Sequence, residues 1–457
     1  MQKYYLIAIL ILIYFVTDHQ AQQFGRGLIL DPSQDNEVIV SASLMRRDFD
    51  ELPNNFSLKK FTPTPGYQGS YSTCAGWACA YSARTILNAI KNKYINPLID
   101  RNAFSPSFIY NQIRRDSTCD NGVALSDALE LMKVQGVLPL SDFGYECERQ
   151  IESQDKYRAS KNKILEYKEI FNRYSLNKIS VTRKSISEYR PVVVAMNTPH
   201  SFERCLDVWE PVKEDFNSGT NGHALVVISY DDTLYGGAFE IINSWGTDWG
   251  NGGYTWITYK DFEVFAYNGF ELIDDIKDES VEFDLSGTLN FRLEEGMPIE
   301  LKLNNNKIFQ TVNSFPSGTK FNVHLSNNQP AFVYAFGSDL KKKNTMIFPQ
   351  SENISPLLAY RRNNIALPNE QSHLMLDNNK GKSYFCFIYS NKSIDIKEAL
   401  KKIEKSSGEF TKRVYSYFKI DLVKEFNPNI VNESKIVFET KSEGKSMIII
   451  IVEIDHI

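Results

Sequence analysis

The segment Gln68-Gly-Ser-Tyr-Ser-Thr-Cys74 decides the fold, because two later segments, Asn221-Gly-His223-Ala and Asn243-Ser-Trp245-Gly, supply what its cysteine needs to act as a nucleophile. A cysteine attacks as the thiolate. With a pKa of about 8.5 it is mostly protonated at neutral pH unless a base or a cation lies beside it. A histidine can take the proton, a third polar group can orient the histidine, and an amide can stabilise the oxyanion. The chain order Gln, Cys, His, Asn provides one residue for each of these tasks.

This set of motifs resembles the active site of papain-like cysteine peptidases, in which a glutamine precedes the nucleophile by six positions at the start of a long helix. The histidine and the asparagine follow Cys74 by roughly 150 and 170 positions, close to the spacing found in that family. The run Asn243-Ser-Trp-Gly-Thr-Asp-Trp-Gly-Asn-Gly-Gly-Tyr254 is similar to the family's asparagine loop almost letter for letter. The resemblance implies an α+β fold of two lobes, one helical and one of β-strands, with a cleft between them.

The resemblance also implies a role for each motif residue. Cys74 would attack the carbonyl carbon, and His223 would take the thiol proton and then protonate the leaving amine. Asn243 would orient the imidazole. The side-chain amide of Gln68 would donate to the oxyanion together with the Cys74 backbone N–H. The rival candidate for the base is His200, in the sequence Thr-Pro-His-Ser-Phe.

Two further positions are implied to contact the substrate or to protect the site. Trp245 would shield the bond between histidine and asparagine from water and line the leaving-group side. Gly122 resembles the position whose backbone meets the substrate main chain. Ala75 and Gly222 depart from the aromatic and acidic residues usual at their positions, which leaves substrate preference open. No metal ion or other cofactor is implied.

Composition and the N-terminus indicate an exported, folded protein. The 457 residues are 42% hydrophobic and 23% charged, and the net charge of −5 gives no basic surface for nucleic acid. Residues 4–16 form an apolar run after Lys3, too short for a membrane span of roughly 20 residues. Residues 1–21 are therefore predicted to be a signal peptide, with an uncleaved anchor as the alternative. The destination (periplasm, cell surface or medium) stays open.

Six cysteines in an exported chain permit disulfides. Cys74 should be free if it is the nucleophile. Cys119 and Cys147 lie where the family's helical half carries bridged cysteines. The usual partner just before the nucleophile is Tyr71 in this chain, so we favour a Cys119–Cys147 pair. The other three cysteines are unassigned: Cys79, Cys205 and Cys386.

The chain divides into a lead-in and two domains. Residues 22–50 are polar and weakly patterned, and Leu52 begins a segment that resembles the family's mature start. This lead-in is too short for a long helical inhibitory pro-segment, so latency by that device is not expected. Residues 51–278 are predicted to form the peptidase domain, and residues 279–457 a β-rich, sandwich-like domain of a type appended to bacterial exported enzymes.

Apolar periodicity predicts the secondary structure of both domains. Helices are predicted from Cys74 to about residue 90, at 104–113 and at 122–136, and residues 149–180 are charged with a helical bias. Strands are predicted at 191–196, 224–230, 238–243 and 254–259. After residue 279 the pattern is strand-like, for example at 283–293, 299–303, 320–325 and 331–336, with one clear helix at 396–405.

These features predict an exported cysteine endopeptidase whose C-terminal domain binds a surface or a protein partner. One alternative keeps the same catalytic residues but uses them for amide or acyl transfer, as in cell-wall peptide processing. A second alternative is a binding or assembly protein that no longer cuts. The four intact residues argue against the second alternative, because a scaffold does not need all of them.

Overall fold

The computed structural model describes residues 24–30, 38–275, 281–304, 308–338 and 343–457. The predicted signal peptide lies outside these residues. None of the helices within the described ranges has the length and apolar character needed to cross a bilayer.

A helical region carries the nucleophile segment, as predicted. Cys74 starts a helix that continues through a π-helical stretch, Trp77–Arg84, and ends at Asn92. Gly76 lets a second helix pack closely, since a Cβ there would lie 2.5 Å from the carbonyl oxygen of Pro106. The α-helices of this region are α1 (Arg47–Asp50), α2 (Cys74–Gly76), α3 (Thr85–Asn92), α4 (Leu98–Arg101), α5 (Pro106–Ile113), α6 (Leu125–Val134), α7 (Leu140–Phe143) and α8 (Ser153–Ala159).

The strands that follow form a mostly antiparallel sheet packed against the helical region through one hydrophobic core. In the described part of the chain its order is β2-β8-β3-β5-β6-β7-β4, with β1 paired to β5. The predicted helical half followed by a strand half is confirmed. The elements are β1 (Asn55–Ser57), β2 (Glu166–Phe171), α9 (Lys178–Ser187), β3 (Val192–Asn197), β4 (Val208–Trp209), β5 (Gly222–Asp231), β6 (Ala238–Ile242), β7 (Tyr254–Thr258), α10 (Tyr259–Phe265) and β8 (Ala266–Ile273).

The prediction that residues 149–180 are helical is partly wrong. Ser153–Ala159 is a helix, but Glu166–Phe171 is the edge strand β2, and it pairs with β8. Lys168 and Glu169 of this strand are buried. Their charges made the segment look like a solvated surface, whereas tertiary contacts supply partners that local sequence does not reveal.

The C-terminal region contains two further sheets with a common core, in agreement with the predicted sandwich. The sheet orders among described residues are β10-β11-β21-β18-β13-β14 and β16-β12-β9-β20-β19, with β15 and β17 as side branches. The strands are β9 (Leu285–Leu293), β10 (Leu301–Leu303), β11 (Phe309–Thr311), β12 (Lys320–Asn327), β13 (Ala331–Ser338), β14 (Asn344–Phe348), β15 (Leu357–Leu358), β16 (Asn363–Leu367), β17 (Leu374–Met375), β18 (Gly381–Ser390), β19 (Asn429–Val431), β20 (Lys435–Thr440) and β21 (Met447–His456).

Two helices cover one face of the larger C-terminal sheet. The helix α11 (Ile396–Lys405) has the predicted bounds and begins at Asp395, whose side chain accepts a hydrogen bond from the Glu398 backbone amide. The helix α12 (Phe410–Phe418) was not predicted from the sequence. Both helices contribute to a second apolar cluster of this region, so neither is a surface addition.

Candidate active site

Cys74 is a free, fully buried cysteine at the N-terminus of α2. Burial raises the pKa of its thiol to about 12, while the backbone amides of Ala224, Ala75 and Cys74 itself act to lower it. Ala224 directly follows His223, so the sulfur lies close to the backbone of the segment that carries the histidine. A helix N-terminus and converging amides favour a thiolate, but in this buried state the thiol stays protonated at neutral pH.

His223 lies near the start of β5 and faces Asn243, which follows the end of β6. The imidazole Nε2 and the Asn243 Oδ1 are 2.8 Å apart, and the Ser244 backbone amide donates to the same Oδ1 at 2.7 Å. Within the described residues the buried Nδ1 of His223 has no hydrogen-bond partner. An imidazole held at one nitrogen with the other nitrogen unpaired can accept a proton from an adjacent thiol.

The protonation of His223 is strongly affected by its surroundings. Burial lowers the pKa of the imidazole to about 3, the nearby Arg26 guanidinium lowers it further, and the Asn243 hydrogen bond acts in the opposite direction. The site as described therefore holds a neutral thiol and a neutral imidazole at pH 7.

Trp245 covers the imidazole. The two rings are stacked, with centroids 4.7 Å apart and planes inclined by 23°. The Trp249 ring packs perpendicular to the Trp245 ring, with centroids 5.5 Å apart. Trp245 thus lies where it can exclude water from the bond between His223 and Asn243.

Gln68 is fully buried with its side-chain amide in a fixed orientation. The Ser244 hydroxyl donates to Gln68 Oε1 at 2.6 Å, and Gln68 Nε2 donates to the carbonyl oxygen of Tyr71 at 2.7 Å. The second N–H of this amide can donate to another acceptor. The Tyr145 hydroxyl donates to the Gln68 carbonyl oxygen at 2.8 Å. Neither Tyr145 nor Ser244 was predicted from the sequence to belong to the site. Ser244 could have been, because it lies within the asparagine loop.

Residues 24–30, which we call the strap, run through the cleft over these side chains. Phe24 stacks on Trp245 with centroids 4.6 Å apart, and the Trp245 indole N–H donates to the Gly25 carbonyl oxygen at 2.9 Å. Arg26 pairs with Glu203 at 2.8 Å and lies over the Trp245 ring. The strap is one reason why Cys74 and His223 have no exposed surface.

The strap is bound mainly through its backbone. Val123 donates to the Gly27 carbonyl oxygen at 3.0 Å and accepts from Ile29 at 3.2 Å, and the Leu28 amide donates to the Gly222 carbonyl oxygen at 3.1 Å. These contacts are close: a Cβ on Gly122 would lie 1.9 Å from the Gly27 oxygen. The backbone around Gly122 therefore meets an extended segment of the chain itself, and its contact with a substrate stays a prediction.

The remaining predicted residues lie outside this cluster. Cys119 and Cys147 form a disulfide with a Cα–Cα distance of 5.9 Å, the pair favoured from the sequence. His200 is 72% exposed at its side chain and pairs with Glu203, so it is not part of the buried cluster. The three unassigned cysteines are free and buried.

Comparisons with known proteins identify similar families, relatives and structures. Residues 100–266 match the family model described as "Papain family cysteine protease". The match includes His223 and Asn243 and begins after Cys74. A protein described as "Cysteine protease" from Blomia tropicalis is 26% identical over 223 residues, which are 46% of this chain and 62% of that relative. The chain thus spans less than two thirds of this curated relative.

Solved structures with similarity to this chain include xylellain, described as a cysteine protease from Xylella fastidiosa. It is 22% identical with a TM-score of 0.47, and the alignment covers 55% of this chain and 97% of that one. Digestive procathepsin L2 from the larval midgut of Tenebrio molitor is 17% identical with a TM-score of 0.46, over 56% and 81% of the two chains.

Proposed function

Residues 100–266 belong to the papain family of cysteine proteases, and from this premise we propose that the chain is an exported cysteine endopeptidase acting through Cys74, His223 and Asn243. The observation that carries the proposal is an extended peptide, the strap, held by its main chain beside a buried thiol and an asparagine-bound imidazole. Recognition through main-chain hydrogen bonds suits peptide substrates of varied sequence.

The proposed reaction assigns each proton. His223 Nδ1 takes the thiol proton, and the Cys74 sulfur attacks the carbonyl carbon of the scissile bond. The oxyanion accepts hydrogen bonds from the Gln68 side chain and the Cys74 backbone amide, and one such donor is typically worth about 2.7–4 kcal/mol. The imidazolium protonates the leaving amine. Water then attacks the thioester with His223 as base, which releases the acid and restores the thiol.

The strap supports the view that the full chain is a latent form. Its contacts bury the nucleophile and the base and occupy the backbone groups that a substrate would use. This does not conflict with the prediction that the lead-in is too short for a long helical inhibitory pro-segment, because the strap is not helical. Seven residues in extended conformation block a cleft without a helical pro-domain.

A direct assay tests the proposal. The chain freed of the strap is incubated with a thiol and a mixture of fluorogenic peptides, with and without an epoxide inhibitor of cysteine peptidases. We expect hydrolysis that the inhibitor stops. Product analysis with an added amine acceptor distinguishes hydrolysis from acyl transfer, and absence of any product with a correctly folded chain would favour the non-cutting alternative.

Acid should loosen the strap. In the closed state the pKa of His223 is lowered to about 3, and on exposure it returns toward its ordinary value of 6.5. The stability that the neutral His223 gives to the closed state is therefore fully present above pH 6.5. It is lost as the pH falls from 6.5 toward 3, because in this range only the open state binds the proton. We expect the open fraction to rise on the order of tenfold from pH 7 to pH 5.

Hydrogen exchange of the Ile29 amide, corrected for intrinsic rates, measures this shift in a Cys74→Ala chain that cannot cut itself. The control is the same chain with His223→Gln, in which the pH dependence should disappear. If the strap opens equally at pH 7 and at pH 5 in the chain that keeps His223, protonation of His223 does not control the opening.

A small pocket beside the strap indicates the side chain that the enzyme prefers. Its lining includes several aliphatic and aromatic side chains, and consists of residues 28–30 of the strap, Val38, Ala124, Leu125, Ser126, Ala195, Asn268 and Phe270. The Asn268 side-chain amide donates to the buried Glu169 carboxylate at 2.6 Å. We expect substrates with aliphatic residues to be favoured at this subsite. The Asn268→Ala variant should open the pocket toward Glu169. We therefore expect the ratio of kcat/KM for arginine substrates to kcat/KM for leucine substrates to rise by about tenfold in this variant. A substrate library measures the ratio, and an unchanged ratio would contradict the assignment.

A further inference from the structure

The second part of the lead-in, residues 38–50, lies between the peptidase sheet and the C-terminal region. Val40 forms parallel bridges on both sides, with Glu169 of the edge strand β2 and with Ile354. Four main-chain hydrogen bonds hold residues 39–41 in place, namely Glu169 N to Ile39 O (2.9 Å), Ser41 N to Glu169 O (3.1 Å), Val40 N to Asn353 O (2.7 Å) and Ser355 N to Val40 O (2.9 Å). The segment therefore extends the peptidase sheet and joins it to the C-terminal region.

Side chains of the same segment enter both hydrophobic cores. Val38 is buried in the peptidase core, whereas Ala42 and Leu44 pack against the C-terminal core. In α1 the Asp48 carboxylate accepts from the Asn364 backbone amide at 2.8 Å and from its side-chain amide.

The two domains also contact each other directly at this place through buried charges. Lys168 donates to the Leu357 carbonyl oxygen at 2.8 Å, and the Tyr360 hydroxyl donates to Glu271 at 2.5 Å. Glu271 has no exposed surface, and Lys168 has almost none. Buried charges are costly without such partners, so this face of the β lobe is built to be covered.

We propose that residues 38–50 are a permanent clamp, retained when the strap is removed, that keeps the C-terminal domain docked on the β lobe of the active enzyme. Loss of the clamp would leave β2 paired only with β8 and would expose its other edge. It would also remove the hydrogen-bond partners of the Asn353 carbonyl oxygen and the Ser355 amide. The lead-in thus has two parts with different fates, and the mature chain begins earlier than the segment at Leu52 that resembles the family's mature start. The retention of the clamp rests on the proposed function, in which the strap is removed, whereas the docking by residues 38–50 can be tested without catalysis.

Hydrogen exchange of the full-length Cys74→Ala chain tests the clamp without requiring activity. Val40→Pro removes the amide that donates to Asn353, whereas Val40→Thr keeps it and keeps the β-branched shape. We expect Val40→Pro to accelerate exchange of the Glu169 and Ser355 amides at least tenfold, and Val40→Thr to leave both rates unchanged. Unchanged rates in a folded Val40→Pro chain would overturn the proposal.

Two further measurements keep the test decisive. If Val40→Pro does not fold, Asp48→Ala replaces it and should accelerate the Asn364 amide, with the exposed Asp50→Ala as the matched control. Limited proteolysis of the Cys74→Ala chain, followed by intact mass, should yield a product that lacks the strap but keeps residues 38–50. A product that has lost residues 38–50 while the Glu169 and Ser355 amides stay protected would exclude the clamp.

Discussion

Replacing Cys74 with alanine should reduce peptide hydrolysis by the strap-free chain by at least about 10⁴-fold, and should abolish covalent labelling by an epoxide inhibitor. Alanine has no atom that can form the acyl intermediate. His223 and Asn243 keep their mutual hydrogen bond, but this pair cannot support hydrolysis through an acyl intermediate without the nucleophile. The measurements are kcat/KM with a fluorogenic peptide and the mass of the labelled protein.

Cys79 provides the matched control for this variant. It is also free and fully buried, and it lies in the same continuous helix. Cys79→Ala should keep activity and labelling within a few-fold, because it removes a buried thiol without touching the cleft. Hydrolysis that survives in Cys74→Ala, or labelling that is lost only in Cys79→Ala, would refute the assignment of the nucleophile.

The candidate site could be predicted from the sequence because its parts lie in short motifs. Gln68 and Cys74 share one segment, and Asn243 and Trp245 share another. The strand that carries His223 and the strand that precedes Asn243 are rich in β-branched residues, so both are recognisable as strands from the sequence. The chemistry of each residue type then limits the role that it can have.

The occupied state of the cleft could not be predicted. Strap residues such as Gly25 and Gly27 have no periodicity, and their binding depends on backbone groups of Val123 and Gly222 that are remote in sequence. The edge strand β2 was missed for a similar reason. Its Lys168 is buried only because the C-terminal region offers a carbonyl oxygen to it.

Substituting Gly27 with alanine should make the full-length chain active without removal of the strap. Gly27 has a φ of +140°, which favours glycine, and a Cβ there would lie 2.2 Å from the Ser72 Cβ. The strap would have to leave its position to avoid this overlap, whereas the catalytic residues would not change. A cost of about 3 kcal/mol corresponds to a rise in initial activity on the order of 100-fold.

Initial rates of the freshly purified chain measure this effect before any processing, and intact mass verifies that the strap is still present. Gly219→Ala is the matched control, because no atom lies within 4 Å of a Cβ at that position. The Ile29 amide should exchange faster in Gly27→Ala and normally in Gly219→Ala. If Gly27→Ala stays as inactive as the unmodified full-length chain although its Ile29 amide is exposed, release of the strap does not activate the chain, and the strap is not the cause of latency.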